Sequence, residues 1–516
     1  MVNETRENIT NSPLIHPLLF AAYPVLSLWA HNSAQVPFAH TAFPLVIIIG
    51  STLVMLLLVT LLFRNIDKGS ITVSLFLILF FSYGHVFNLI SRWNAYTPLP
   101  IVLTECILFV VSVYLIKTKQ GNFHTITKTF NIIALCLILF QSVPILIFYC
   151  KTGLLQKQNR IVEGTRQPHS SSKIDTLPTI YYIILDAYPR HDVLKEVFRY
   201  NNEDFIKSLV NMGFYVAEQS VANYPFTQLS LASSLNFDYL DEVAKAVGTN
   251  NTDYYPLLYI TWHNRISSFL KSYGYTTIFI YTAGTGLEES HEVDHFILKR
   301  GFWLANAFHE LVLRTTPIPY LAEVFSRNLL DEFDFHRRQA LYAFDKVVDL
   351  SKKKGPYFVC AHIVKPHEPF VFNEFCEPIA PHRRYGLWYT PAKGMDRNEY
   401  IELYKRQLSC INKKVISMLE AILHNSSEPP IIIVQSDHGP TLEYDHKSLS
   451  HTNIHIRFPI LNALYLPHGG AQHIYARITP VNTWRIILNY YFVRSLNYYP
   501  IRVTMHALNT HTNTMR

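Results

Sequence analysis

Charge is almost missing from the first third of this chain. Between Pro13 and Cys150 only Arg64, Asp67, Lys68, Arg92, Glu105, Lys117, Lys119 and Lys128 carry it. Over the whole sequence, charged residues make up 16% and hydrophobic ones 49%, a balance too apolar for an ordinary soluble enzyme. Metal-finger spacing is also absent: no two of the six cysteines form a CxxC pair, which excludes a zinc ribbon. No basic stretch is interleaved with aromatics, so the net charge of +7 does not indicate nucleic acid. It suits a protein beside anionic lipid headgroups. Internal repeats and long low-complexity runs are lacking. The first apolar segment has neither a short core nor a small-residue cleavage site, so it is expected to stay in the mature chain.

What is there begins with five apolar stretches: residues 14–30, 43–63, 71–90, 99–116 and 130–149. Crossing a bilayer takes about 20 apolar residues, and the last four satisfy this well. The first carries His16, Pro17 and Pro24 and is the weakest. With the N-terminus inside, inner segments collect Arg6, Arg64, Lys68, Lys117, Lys119 and Lys128, whereas the short outer loops hold only Arg92. Five spans from an inside start place everything after Cys150 outside. The basic run Lys151, Lys157, Arg160 and Arg166 opposes this weakly, but long domains are exported largely regardless of such charge. The expected organisation is a tail (1–12), a membrane domain of about five transmembrane helices (13–150), a polar linker (151–177), a large outward-facing domain (178–500) and a C-terminal tail (501–516). A multi-pass protein of the plasma (inner) membrane with a large extracytoplasmic domain follows.

From Pro178 onward, short β-rich runs alternate with amphipathic helical stretches, the pattern of a mostly parallel sheet covered by helices. Four continuous apolar runs read as strands buried on both faces: YYIIL before Asp186, TTIFI before Tyr281, YFVCA before His362 and IIIVQ before Ser436-Asp437. Ligand sites in open α/β sheets lie beyond the carboxyl ends of the strands. Asp437 and His438 in Ser-Asp-His-Gly can both ligate a divalent cation, with Gly439 allowing a tight backbone turn. Asp186 brings a second carboxylate from another strand end. Thr227 follows a Pro-containing turn and opens a helix-like stretch, where the dipole and free N–H groups favour negative charge. A cation on its oxygen would make the alkoxide accessible near neutral pH. The plain alternative for Thr227 is a helix N-cap. Ser230 is the rival nucleophile, less exposed one turn into the helix.

The succession of Asp186, Thr227, His-Glu-Pro-Phe at 367–370 and Ser-Asp-His-Gly at 436–439 resembles the sulfatase-like branch of the alkaline phosphatase superfamily. The layout, with an exported domain behind several spans, is similar to lipoteichoic acid synthases and phosphoethanolamine transferases. Gly213-Phe214 and Ile460-Leu461-Asn462-Ala463 with Leu466-Pro467 also look like this family. The resemblance implies an N-terminal transmembrane α-helical segment followed by an α/β alkaline-phosphatase-like domain with a central mostly parallel sheet. It implies Asp186, Thr227, Asp437 and His438 as metal ligands, Thr227 as the residue forming a phospho-enzyme, and His367 as phosphate binder or proton donor to the leaving group. Lipoteichoic acid synthases usually offer Glu where Asp186 stands. Sulfatases need Cys or Ser in a C/S-x-P-x-R context for conversion to formylglycine, and Thr227 has neither the chemistry nor the context. Cys376-Glu377-Pro378-Ile379-Ala380 lacks the Arg and lies far from the expected place.

These readings favour a membrane-anchored enzyme that transfers or hydrolyses a phospho-group, from a lipid-linked donor to an envelope glycan or lipid acceptor, through a covalent Thr intermediate. A sulfuric ester hydrolase acting on sulfated sugars is the alternative. A catalytically silent receptor or scaffold would be expected to have lost some of the four ligands, yet all are present. A transporter would need polar residues lining its spans. Two carboxylates, one imidazole and one hydroxyl suit one divalent cation, zinc or manganese, with calcium a poorer match. His362, His451 and His455 are further candidates for contacting substrate. Glu105 is a candidate headgroup contact. His291-Glu292-Val293-Asp294-His295 matches H-E-x-x-H, but the preceding Ala283-Gly284-Thr285-Gly286 breaks helical periodicity and no third ligand follows, so a polar loop is expected. Cys360, Cys376 and Cys410 could hold one disulfide in an oxidising compartment, and the pair stays open.

Overall fold

The computed structural model describes residues 12–33, 36, 38–90, 98–163, 177–247, 255–282, 294–297, 307–325, 332–379, 395–445, 448, 450–492 and 494–503. The tail before residue 12, Arg92, linker residues 164–176, His291 to Val293 and the tail after residue 503 lie outside them. The chain divides into two units, one of residues 1–165 with 301–331, the other of 166–300 with 332–516.

In the first unit the apolar stretches form five helices: α1 (Ile15–Asn32), α2 (Ala42–Phe63), α3 (Ile66–Ile90), α4 (Leu99–Thr118) and α5 (His124–Glu163). Helix α5 thus continues through residues 151–163 of the expected linker. Four segments, Phe38–Phe63, Ile66–Ile90, Leu99–Thr118 and His124–Ile147, are long and apolar enough to cross a membrane. Their outer faces leave Leu57, Leu62, Ile107 and Phe140 exposed, where only a nonaqueous surrounding would accept so large an apolar area. Helix α1 is not among the four. It buries Phe20, Ala21, Val25 and Trp29 against its neighbours instead. The polar residues that dilute its hydropathy have partners: His16 N donates to Asn131 Oδ1 at 2.9 Å, and His16 Nδ1 lies 2.6 Å from Ser74 Oγ.

The second unit is built on a seven-stranded sheet in the order β2-β7-β6-β1-β5-β3-β4. The strands are β1 (Ile180–Leu185), β2 (Tyr215–Val216), β3 (Thr276–Tyr281), β4 (His295–Ile297), β5 (Tyr357–Ile363), β6 (Ile431–Gln435) and β7 (Asn462–Tyr465). All four continuous apolar runs are therefore strands, and β4, β3, β5, β1 and β6 run parallel. Among the described strands, the β2–β7 and β6–β7 pairs are antiparallel. The alternation along β1 explains why its run had to be unbroken. Tyr181, Ile183 and Leu185 enter one core with helices α7 (Glu332–Ser351) and α8 (Arg397–Asn425). Ile180, Tyr182 and Ile184 enter the core on the opposite face with Trp484 of α9 (Pro480–Tyr491). Each such side chain contributes about 1.5–3 kcal/mol on full burial. A charge at Ile183, 0% exposed, would remove that contribution at the centre of the sheet and strand itself without a partner. The open disulfide question resolves to Cys376–Cys410, joining the loop after β5 to α8, and Cys360 stays free and buried in β5.

Candidate metal centre and active site

Parallel pairing delivers the site. Ile184 of β1 is in register with Gln435 of β6 and with His362 of β5, so the residues just past these strand ends share one edge. Asp186 follows β1 directly, and Asp437 and His438 follow β6 by one link, Ser436. The Ser436 hydroxyl donates to His438 O at 2.7 Å and accepts from Tyr188 N at 2.8 Å, which pins the two strand exits together. Ala187 turns the chain with φ of 63°, a left-handed conformation that costs on the order of 1–3 kcal/mol for a residue with a Cβ. Its N donates to Asp437 Oδ1 at 3.3 Å and its O accepts from Tyr404 at 2.8 Å. Gly439 is required for a reason other than turning: a Cβ there would sit 2.1 Å from Ile456 O.

Asp186, Asp437 and His438 are all buried, and each offers a ligand atom within 4.8 Å of the others. Thr227 completes the group. It is the first residue of α6 (Thr227–Ser234), whose N-cap is Phe226 with no side-chain cap, so the capping role is not the one its hydroxyl performs. Oγ1 donates to Asp437 Oδ2 at 2.8 Å and lies 3.1 Å from His438 Nε2. Ser230 instead donates to Asp437 O and Tyr224 O, at 2.7 and 3.1 Å, bracing the loop.

The tautomer of His438 decides what these atoms can do. Its Nδ1 lies 2.9 Å from Gly439 O, which can only accept, so Nδ1 carries the proton and Nε2 presents a lone pair. That lone pair faces Asp437 Oδ2 at 3.3 Å and Asp186 Oδ1 at 3.7 Å. Asp186 Oδ1 is buried without a hydrogen-bond partner. Burial, reinforced by Arg457, holds His438 well below the ordinary imidazole value, so the ring stays neutral. Burial and the Asp186 carboxylate push Asp437 up to about 6. Asp186, although buried, is held below its usual range by His367 and by the contact with His362. Three buried electron-pair donors converge with one hydroxyl proton among them. This donor set fits a divalent cation.

His367 and His362 stand beside the group. His367 N donates to Asp186 O at 3.1 Å, and its ring centroid is 6.4 Å from that of His438. Its side chain is 27% exposed and its Nδ1 lies 3.2 Å from Glu368 Oε2. Burial lowers His367, but the Glu368 and Asp186 carboxylates outweigh it and the net displacement is upward. His362 Nε2 is 3.3 Å from Asp186 Oδ2. His451 is 75% exposed and pairs with Asp445 at 3.5 Å, and His455 is exposed on the short helix Ile454–Arg457. Neither is bonded to the buried group among the described residues. The end of the H-E-x-x-H stretch lies elsewhere. Asp294 accepts from Thr277 N at 2.8 Å and pairs with Lys271, while His295 opens β4; His291 and Glu292 lie outside the described residues.

Arg457 and Lys365, buried cations beside the site, were not singled out from the sequence. Arg457 donates to Pro225 O at 2.5 Å and Gly439 O at 2.6 Å, tying the approach to Thr227 to the exit of Asp437-His438. Its acceptors are carbonyls, which any residue supplies, so no sequence pattern marks the pairing. Lys365 donates to His367 O and Pro369 O at 3.1 and 2.8 Å, and burial brings it down to about 7. Thr441 donates to Glu368 Oε1, fixing the carboxylate beside His367.

A family model for sulfatases matches residues 178–484, more than half of the chain. No curated protein sequence matches. Solved structures similar to the chain include the C-terminal periplasmic domain of EptC from Escherichia coli, at 12% identity and TM-score 0.42, covering 67% of this chain and 95% of that one. The integral membrane lipooligosaccharide phosphoethanolamine transferase A of Neisseria meningitidis matches at 13% identity and TM-score 0.38, covering 93% and 95%. BT1596, a 2-O GAG sulfatase, matches at 11% identity and TM-score 0.38, covering 59% and 68%. The family model spans more than half of the chain, and the chain belongs to the sulfatase family.

Proposed function

We propose that this protein transfers or hydrolyses a phospho-group through a covalent intermediate on Thr227. The observation that carries the reading is the Thr227 hydroxyl, which opens a helix, caps nothing and lies within 3.1 Å of both Asp437 and His438. Asp186, Thr227, Asp437 and His438 would hold one divalent cation, zinc or manganese, which supplies Lewis-acid polarisation and a lowered hydroxyl pKa when bound. In the first half-reaction Thr227 Oγ1 attacks phosphorus as its proton leaves toward Asp437 Oδ2. The bond from phosphorus to the donor alcohol breaks, and His367 protonates the departing oxygen. The free N–H groups at the start of α6 face the negative charge that gathers there. In the second half-reaction an acceptor hydroxyl, or water, attacks phosphorus while His367 takes its proton. The bond to Oγ1 then breaks as Oγ1 takes back the proton held at Asp437 Oδ2, and the threonine is restored. A threonine cannot yield the aldehyde that a formylglycine sulfatase needs, which favours phosphoryl over sulfuryl chemistry.

The helices support a lipid-linked donor, since membrane attachment raises the effective concentration of a substrate in the same bilayer. Helix α1 lies along α3 and α5 through much of its length, with His16 near Ser74 and Asn131 and Trp29 clustered with residues of later helices. That arrangement supports five crossings and an external catalytic domain. So does the Cys376–Cys410 disulfide, a bond of oxidising compartments. A glycan or lipid of the envelope is the fitting acceptor. The test gives full-length protein in lipid nanodiscs a chromogenic phosphodiester and a chromogenic sulfate ester, with and without chelator. Phosphodiester turnover abolished by chelation is expected. Sulfate-ester turnover alone would overturn the substrate class.

A further inference from the structure

Two short helices, Ala307–Arg314 and Ile318–Phe325, lie in sequence between β4 and α7 yet group with the N-terminal helices. Three sets of contacts hold them. Phe308 and Val312 are buried in one cluster with Val25 and Trp29 of α1. The His309 ring lies 5.3 Å from that of Phe43, at the start of α2, and its Nε2 is 3.0 Å from His40 O. Gly84 of α3 donates its N–H to Thr315 O at 2.9 Å, and a Cβ at that position would meet Arg314 O at 2.4 Å. Trp29 is in the last turn of α1, His40 and Phe43 flank the start of α2, and Gly84 is near the end of α3. All three contacts therefore fall at the same end of the helical bundle.

Depth follows from helix geometry. Helix α3 has 25 residues, about 37 Å at 1.5 Å per residue, against a hydrocarbon layer about 30 Å thick. Centred in that layer it overhangs by about 4 Å at each end, and Gly84 is about 9 Å from the C-terminal one. The turn after Arg314 thus meets α3 roughly 5 Å inside the acyl region. Backbone at that depth must be satisfied by protein, and here it is. Thr315 O takes the Gly84 N–H, Thr315 Oγ1 donates to Val312 O at 2.7 Å, and Thr316 Oγ1 donates to Leu313 O at 2.6 Å. Arg314 is neutralised by Glu310 within its own helix. The following helix leaves Ile318 36% and Val324 57% exposed.

We propose that Ala307–Phe325 is a bilayer-inserted hairpin whose partner is the lipid at the boundary between headgroups and acyl chains. This rests on reading α2 to α5 as membrane spans. The hairpin gives the sulfatase-like domain two chain connections to the bilayer in addition to the linker.

The test uses full-length protein in phosphatidylcholine nanodiscs with Cys106, Cys136 and Cys150 replaced by Ser. Single cysteines at Val324, at Leu57 in the middle of α2 and at Val210 in the sheet unit carry an environment-sensitive fluorophore. Lipids bearing a quencher high or low on the acyl chain report depth. Expected is quenching at Val324 of at least half that at Leu57, stronger with the shallow quencher, and none at Val210. Gly84→Leu should expel the hairpin and abolish quenching at Val324 while leaving Leu57 unchanged. Quenching at Leu57 with none at Val324, or no effect of Gly84→Leu, overturns the hairpin assignment. Absence of quenching at Leu57 overturns the reading of the spans themselves.

Discussion

Gly439→Ala isolates how much of the site depends on one close backbone approach. The added Cβ would lie 2.1 Å from Ile456 O and 2.8 Å from Arg457 O. An ordinary carbon–oxygen contact is about 3.3 Å, so the strand exit must retreat by about 1.2 Å. The retreat pulls directly on His438, the preceding residue, and on the 2.7 Å bond from Gly439 N to Arg457 O. A misplacement of about 1 Å at reacting groups costs on the order of 100-fold in rate, equivalent to about 2.7 kcal/mol of transition-state stabilisation. Steady-state turnover of a chromogenic phosphodiester by nanodisc-embedded protein is the assay, and a loss of about 100-fold in kcat is the expected result. Gly50→Ala is the internal control, because a Cβ there meets nothing within 4 Å. Full activity in Gly439→Ala would refute the claim that the spacing of these two chain segments sets the position of His438.

Arg457→Met removes two bonds from a buried cation, each worth about 1.5–3 kcal/mol, and is expected to lower the thermal midpoint and turnover together. An unchanged midpoint contradicts the brace. Because the carboxylates of Glu368 and Asp186 outweigh burial at His367, its proton is retained above the ordinary histidine range. Leaving-group protonation is then lost as pH rises through that raised value. Glu368→Gln should move the alkaline limb of kcat/KM to lower pH, and a limb that stays in place contradicts this. Cation bound at 100 times its Kd stabilises by about 2.7 kcal/mol. Chelation should therefore lower the thermal midpoint of the native protein but not of Asp437→Asn; equal shifts in both contradict the ligand assignment. Cys410→Ser opens a loop of separation 34 and is expected to destabilise by about 3–4 kcal/mol, read as a fall in thermal midpoint that reductant reproduces in the native protein.

The central strands were legible because two-sided burial leaves no room for polar alternation. Tyr181 and Tyr182 face opposite cores, and both had to be apolar in body. The edges were not. Strands β2, β4 and β7 have two, three and four residues, too few to display a period, and pairing partners decide their existence. Asp186, Asp437 and His438 could be picked out because parallel strand ends share an edge, a rule of topology rather than of local propensity. Arg457 could not, since a guanidinium bonding to carbonyls leaves no partner signature. Helix α1 looked weakest as a span because of His16 and Pro24, and the reason is its surroundings. Its side chains meet other helices, including Ser74 and Asn131, so its composition need not suit lipid. The grouping of residues 301–331 with the helical unit goes with contacts such as Phe308 beside Trp29 and Gly84 N to Thr315 O, which only coordinates display.

Both proposed half-reactions run through Thr227, the attacking group in the first. Full-length protein mixed with a phosphodiester, quenched in acid and digested for peptide mass analysis should show a phospho-adduct on Thr227. The adduct should vanish on chelation and in Thr227→Ala, with turnover lost alongside. An adduct on Ser230, or full turnover in Thr227→Ala, would contradict this role of Thr227.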